Sequence, residues 1–386
     1  MFSRRTEHDS RSNSIASAVA ERQARALPTL DLTVSNPTQT GLPYAEREIL
    51  DALADACCLR YEPHAFGLPR ARTAVAELLR ADSFDVPIEH ILLTASTSEA
   101  YSFLFKLLCD PGDEILLPAP SYPLFEHLSH FEGVRAVFYE LAYDGAWHID
   151  FDSLERARSA RTRAIVVVNP NNPTGSFLKR RELARLVQFG LPIISDEVFA
   201  SYALLNDRER VSSLLEHAGS LVFSLGGLSK LAGLPQLKLA WTAIQGPRVQ
   251  VAEACRRLEL VADTFLSPSA PVQHGLAKLL ALRHELSAAL RARIARNLSA
   301  LCAALKGSAA TLLHLEGGWY AVLRLPAFCD ESAFVIQLLR EDGVLVQPGF
   351  FYDFPNGQHV VLSTITPEAD FREGVRRLAA RVSAFG

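Results

Sequence analysis

Lys230 stands in Ser224-Leu-Gly-Gly-Leu-Ser-Lys-Leu-Ala-Gly, directly after the apolar run Leu221-Val-Phe. A lysine that ends a buried strand among small residues can hold a carbonyl compound as a Schiff base. Small neighbours leave room for a ring, and an apolar setting lowers the amine pKa toward its nucleophilic form. By itself a Ser-Lys pair reads more simply as a solvated loop, so the weight falls on its companions.

Thr94-Ala-Ser-Thr-Ser-Glu-Ala follows a strand-like run and opens a helix. Thr97 and Ser98 there can offer backbone and hydroxyl donors to an anion, although an ordinary helix cap has the same composition. Tyr122, in Pro120-Ser-Tyr-Pro, sets an aromatic ring in a rigid turn, a place that also suits core packing. Asn169-Pro-Asn-Asn-Pro-Thr-Gly175 says more. Its prolines and glycine fix a tight turn after Ile165-Val-Val-Val, aiming the Asn172 amide into the crevice where α/β folds bind ligands. Asp196, in Ser195-Asp-Glu, closes the next apolar run. No His or second Asp is spaced to complete a metal site with it, which favours a buried cation as its partner and predicts no metal. A phosphate cradle, an aromatic plate, an amide, a buried carboxylate and a lysine together describe a pocket for pyridoxal 5′-phosphate. The carboxylate keeps the pyridine nitrogen protonated, and the lysine binds the aldehyde and shuttles protons.

The elements that must position these groups are legible as alternating strands and helices, the signature of an α/β fold with a largely parallel sheet. Ile91-Leu-Leu-Thr, Glu114-Ile-Leu-Leu-Pro, Ala164-Ile-Val-Val-Val, Pro192-Ile-Ile-Ser and Leu221-Val-Phe-Ser read as buried strands, with helices over 99–108 and 180–188. After these, 271–305 reads as one or two long helices, followed by strands near 320–325 and 360–363 and a terminal helix over 367–382. The 386 residues suggest two domains. The expectation is a three-layer α/β/α large domain over 46–275 and a smaller α+β domain built from 1–45 and 276–386. With 49% hydrophobic residues and a net charge of −4, the chain is neither disordered nor a polyanion binder. No apolar run reaches the ~18 residues of a membrane helix. The charged N-terminus lacks a signal-peptide core, and six cysteines without CxxC spacing read as reduced thiols, so a cytoplasmic enzyme is expected.

Asn172-Pro-Thr-Gly175, then Asp196-Glu197, then Ser229-Lys230 with Gly233, Lys238 and Trp241 behind, resembles in order and spacing the signatures of the class I/II aminotransferases of fold type I, the aspartate aminotransferase superfamily. The likeness runs from about Leu32 to Phe385. It implies that Lys230 forms the Schiff base and acts as catalytic base, that Asp196 binds the pyridine nitrogen, and that Tyr122 stacks on the ring. It further implies that Asn172 bonds the ring 3′-oxygen, and that Thr97, Ser98 and Lys238 serve the phosphate. Tyr61 resembles a tyrosine that such enzymes reach across a homodimer interface to the partner's phosphate. The implied function is transfer of an amino group from an amino donor to a keto acceptor. A lyase, decarboxylase or cyclase of the same fold is the alternative, and a non-catalytic pyridoxal-phosphate-binding protein is a more remote one.

The departures from that family carry information. Lys238 stands where an arginine is usual, Phe199 where a tyrosine is usual, and Gly227 where a phosphate-binding Ser or Thr is frequent. In His359-Val-Val-Leu-Ser, Val361 takes the place of the arginine that clamps the substrate carboxylate. Asn36, Trp319 in Glu316-Gly-Gly-Trp, and Gln347 are the candidates for substrate contact.

Overall fold

The protein is described here as a computed structural model covering residues 2–6, 14–266, 268–327 and 330–384. Cys329, one of the thiols read from sequence, lies outside the described residues; Cys57, Cys58, Cys109, Cys255 and Cys302 are all free.

The large sheet has eight strands. In chain order they are β1 (Ile91–Thr94), β2 (Glu114–Ala119), β3 (Arg135–Tyr143), β4 (Trp147–Ile149), β5 (Thr162–Val168), β6 (Ile193–Asp196), β7 (Val222–Gly227) and β8 (Ala240–Gln245). Their spatial order is β1-β8-β7-β6-β5-β2-β3-β4. From β7 through β6, β5 and β2 to β3 every neighbour pair is parallel. The reversed strand β8 pairs antiparallel with both β7 and β1, so β1 points the same way as the parallel set. The mostly parallel α/β sheet expected from the sequence is therefore present. Its central strands are β-branched runs buried on both faces, as helices on either side require. One face packs Tyr101, Phe103, Leu104 and Phe105 of the helix Thr97–Leu108 with Val251, Leu258 and Ala262 of the helix Arg248–Phe265. The other face meets Leu286, Leu290 and Ile294 of a later helix.

A second sheet of four strands follows, β9 (Thr311–Leu312), β10 (Tyr320–Leu325), β11 (Gln347–Pro348) and β12 (Gln358–Ser363), in the order β9-β10-β12-β11 and antiparallel throughout. Its residues alternate between two environments. Ala321, Leu323, Val360 and Leu362 pack against Phe334 and Leu338 of the helix Glu331–Asp342 and against Phe371 and Leu378 of the helix Glu368–Ala384. Tyr320, Val322 and Val361 face the other way, into the apolar cluster that includes Phe199 and Trp319. The N-terminal segment is tied to this sheet. Leu30–Asp31 pairs in parallel with Val344–Leu345, Ser363 N donates to Leu32 O at 2.7 Å, and Ser363 Oγ donates to Val34 O at 2.5 Å.

The stretch expected as one or two long helices is two, Ala270–Ala281 and Arg283–Ala304. They meet at Leu282, where the Arg283 guanidinium donates to the Leu280 carbonyl at 2.6 Å. The first packs its apolar face, Val272, Leu276, Leu279 and Leu280, with Ile91, Leu93 and Trp241 of the large sheet.

Candidate active site

Because β1, β5, β6 and β7 run the same way, the segments that follow them gather at one edge of the sheet, where open α/β sheets bind ligands. After β1 comes the helix start with Thr97 and Ser98; after β5 the Asn169–Gly175 turn; at the end of β6 Asp196; after β7 Lys230. Ser96 caps the helix by accepting Glu99 N at 3.1 Å, and Glu99 Oε2 accepts Ala95 N at 2.7 Å. Thr97 and Ser98 keep the unpaired N–H groups of any first helical turn, aimed where an anion is favoured. One turn on from Thr97, the buried Tyr101 donates its hydroxyl to Asp196 Oδ2 at 3.1 Å. Val198 N donates to Asp196 Oδ1 at 3.2 Å. Burial nevertheless pushes the Asp196 carboxyl up to about 6, against the pull of those two donors and of Lys230.

Lys230 retains some exposed surface, yet its ammonium faces rings rather than water. Nζ lies 4.9 Å from the Trp319 ring centroid and 5.5 Å from that of Phe199. Loss of hydration lowers its pKa to about 8, with the Asp196 charge opposing the shift. A neutral, nucleophilic amine is thus accessible near neutral pH. Tyr202 fixes the backbone beneath, donating to the Lys230 carbonyl at 2.8 Å.

The asparagine-rich turn divides its labour. Asn169 donates to Val211 O at 3.0 Å and accepts Leu178 N at 3.0 Å, while Asn171 Oδ1 accepts Thr174 Oγ1 at 3.0 Å. Those two hold the backbone. Asn172 is buried with Oδ1 unpartnered, an arrangement that a ligand group can satisfy. Gly175 (φ +69°) lets the Glu316–Trp319 loop approach, since a Cβ there would sit 2.4 Å from Gly317 O. Glu316 clamps the same loop by accepting Phe177 N at 2.8 Å and Lys179 Nζ at 2.7 Å. This brings Trp319, wholly buried, to within 5.1 Å of Phe199, ring centre to ring centre.

Tyr122 is partly exposed and lies close enough to Asp196 and Tyr320 for their charges to raise its pKa together with burial. Ser121 N, beside it, donates to Tyr352 O at 3.0 Å, and the Tyr352 hydroxyl bonds Gln347 Oε1. Ser35, which precedes Asn36, hydrogen-bonds Tyr320. The Asn36 amide oxygen itself caps a 3₁₀ turn, accepting Thr38 N at 3.1 Å and Thr38 Oγ1 at 2.8 Å. Two sequence candidates are exposed to solvent. Tyr61 is 80% exposed on a surface groove shared with His64, Leu266 and His274. Lys238 is exposed and takes a left-handed backbone (φ 53°) at the end of a 3₁₀ turn.

Residues that the sequence reading missed are Tyr101, Tyr202 and the row of phenols. Tyr101 was recoverable, since it lies one helical turn past Thr97 on the same face. Asp55, Cys57 and His274 also come together, their ligand atoms within 4.8 Å of one another. Arg70 donates to His274 Nδ1 at 3.0 Å and pairs with Asp55 at 3.7 Å, so a guanidinium already serves that cluster.

These groups fit pyridoxal 5′-phosphate by their own chemistry: a desolvated amine, a buried carboxylate, an unsatisfied amide and a helix start. Known proteins agree. The family described as "Aminotransferase class I and II" matches residues 28–378. Nicotianamine aminotransferase 1 of Oryza sativa subsp. japonica is 28% identical over 355 residues, covering 87% of this chain and 71% of that one. Glutamate-pyruvate aminotransferase AlaA of Escherichia coli (strain K12) is 26% identical over 370 residues, covering 92% and 91%. The solved alanine aminotransferase from Pyrococcus furiosus superposes with a TM-score of 0.88 at 23% identity, over 100% of both chains. Amino-group transfer, rather than elimination or decarboxylation, is named in each of them. The chain belongs to the class I and II aminotransferases and is a pyridoxal-phosphate-dependent enzyme that transfers amino groups.

Proposed function

We propose that Lys230 is the residue that holds the cofactor covalently and moves the proton during amino transfer. The observation that carries this is the buried pair itself, an amine brought down to about 8 beside a carboxyl brought up to about 6. When bound, pyridoxal phosphate supplies an electron sink for the bonds at the substrate's amine-bearing carbon. Asp196, oriented by Tyr101 and Val198, is the negative partner for the ring nitrogen. Tyr122 would cover one ring face, and the Asn172 side-chain N–H would donate to the ring oxygen, with its buried Oδ1 left free to accept from a ligand group. Thr97 and Ser98 receive the phosphate, with Lys238 adding a point charge in place of an arginine's bidentate fork. With the group bound, Lys230 Nζ would carry the proton taken from the substrate carbon, and the Phe199 and Trp319 rings keep water from it. Trp319, Gln347 and Asn36 line the substrate side.

We further infer a homodimer in which Tyr61 reaches the other subunit's phosphate site, which accounts for a tyrosine so exposed in one chain. We assign the cofactor-binding domain to residues from 46 onward and extend it from 275 to Leu282. The helix Ala270–Ala281 is continuous and packs on the large sheet. The 1–45 segment and the remainder form the small domain. Free thiols and the lack, among the described residues, of a helix able to cross a membrane support a cytoplasmic location.

The test is borohydride reduction of the loaded protein followed by peptide mapping. Label is expected at Lys230. Lys230→Ala should lose it and lose about 10³-fold or more in kcat, in line with removal of the proton carrier. Label at any other lysine would overturn the assignment.

A further inference from the structure

The environment of Val361 constrains the substrate. Val361 is fully buried in β12 and pairs across the sheet with Val322 on one side and Gln347 on the other. Its side chain belongs to the face that carries Tyr320, Tyr352, Phe199 and Trp319, the face turned toward Lys230. The polar groups on this side are neutral. Tyr122, Tyr320 and Tyr352 are phenols whose pKa burial raises, beside one another, Asp196, Ser35 and Trp319, and among the described residues no arginine or lysine hydrogen-bonds to any of the three. Lys230 is the cation facing Asp196, and its amine is committed to the cofactor once loaded.

The arginines of the flanking helix and of β10 are engaged or exposed elsewhere. Arg293 donates to Thr40 O at 3.1 Å and pairs with Glu368 at 3.3 Å. Arg291 donates to Ser201 O at 3.3 Å. Arg324 is exposed at the far end of β10, opposite His359. Five residues of extended chain, about 16 Å, separate it from Trp319.

An α-amino acid carries its carboxylate on the carbon that loses the amine, so its charge must enter this pocket. A buried carboxylate without a cation or a set of charge-directed donors is strongly disfavoured, the more so beside the existing charge of Asp196.

We propose that the amino substrate has no carboxylate on its amine-bearing carbon and is a primary amine or amino alcohol. This deepens the assignment of Lys230 and rests on it. The same pocket receives the acceptor, which is accordingly an aldehyde or ketone without an adjacent carboxylate. The exchange balances: R–CH(NH2)–R′ and R″–CO–R‴ give R–CO–R′ and R″–CH(NH2)–R‴. The donor's C–N bond breaks, the acceptor's forms, the carbonyl oxygen is exchanged in the opposite sense, and no outside oxidant or reductant enters. The Gln347 amide and the phenols supply neutral hydrogen bonds to a hydroxyl at the place where a carboxylate would lie.

The experiment compares acids with alcohols on one skeleton in the wild-type holoenzyme. Alanine is set against 2-aminopropan-1-ol, and phenylalanine against phenylalaninol, pairs whose amines differ little in basicity. The first half-reaction is followed by cofactor absorbance. The alcohols are expected to react at least about tenfold faster at equal concentration, a difference of about 1.4 kcal/mol. Val361→Arg is expected to reverse the order, although the wild-type comparison stands without it. An acid that matches or beats its alcohol overturns the proposal, whichever cation, Arg324, Arg293 or one from a second copy, turns out to bind it. So does failure of both series while borohydride still labels Lys230. Absence of that label marks failure of the underlying assignment instead.

Discussion

At the scale of single residues, the site is built on two groups whose titrations burial draws toward each other. Lys230 falls from 10.5 to about 8 and Asp196 rises from 3.8 to about 6, each because its charged form has lost water. The sign of the consequence is the same for both: in the apoprotein the charge is a cost. For Asp196 that cost is absent below pH 3.8 and complete above about 6. For Lys230 it is present below about 8 and relieved as pH rises toward 10.5. The kinetic counterpart is direct. Capture of pyridoxal phosphate by the apoprotein should quicken about tenfold per pH unit below the Lys230 pKa and level off above about 8. Stopped-flow absorbance across pH 6–10 measures it. A rate still climbing steeply at pH 9.5 would show a lysine with an ordinary pKa and count against the desolvated amine. Phe199 belongs to the same picture, because its ring desolvates Nζ where a tyrosine would bring a hydroxyl.

At the scale of elements, the site depends on two loops, 169–175 and 316–319, pressed together at Gly175. A side chain there meets two kinds of obstacle, the positive φ of +69° and the crowding of the Cβ position by Leu315 Cδ1 at 2.2 Å and the Gly317 carbonyl oxygen at 2.4 Å. Gly190→Ala separates the two, since φ there is +67° and nothing lies within 4 Å. Gly175→Ala should cost about 2–3 kcal/mol in urea unfolding and move Trp319 off Lys230, seen as altered tryptophan fluorescence. Gly190→Ala should cost about 1 kcal/mol and leave the fluorescence alone. Equal losses would show that the contact with Gly317 contributes nothing.

What the sequence revealed of these elements follows from their burial. Strands such as Thr162–Val168 and Ile193–Asp196 are short apolar runs because both faces are covered, and they were legible. Arg135–Tyr143 was not singled out because it lies near the edge and alternates buried with exposed positions. Ala240–Gln245 lacks a β-branched run, and its small residues admit Trp241 against Gly226. The asparagine turn was readable as a turn, but its division of labour was not. Asn171 bonds locally to Thr174 within the turn, whereas Asn169 satisfies backbone groups at Val211 and Leu178 outside it, which the folded chain brings near.

At the scale of the whole molecule, one groove carries exposed apolar side chains. Tyr61 (80% exposed) and Leu266 (59%) both line it. Exposed apolar area of this kind marks an interaction surface, and a second copy of the chain is the occupant inferred above. Subunits that share active sites make a prediction that separate sites do not. Lys230→Ala destroys the site of the subunit that carries it, whereas Tyr61→Ala damages the site across the interface. In a mixed dimer one site then carries both lesions and the other carries neither. If the two inactive variants are mixed in equal amounts and allowed to exchange subunits, half the dimers are mixed and each has one intact site, so activity should return to about a quarter of wild type. If Tyr61 served its own subunit's site, every site in the mixture would carry one lesion, and activity would not exceed the average of the two variants alone. Size-exclusion chromatography with light scattering, run on the same mixture, establishes that the exchanging species is a dimer. The kinetic readout then assigns Tyr61 to one side of the interface or the other.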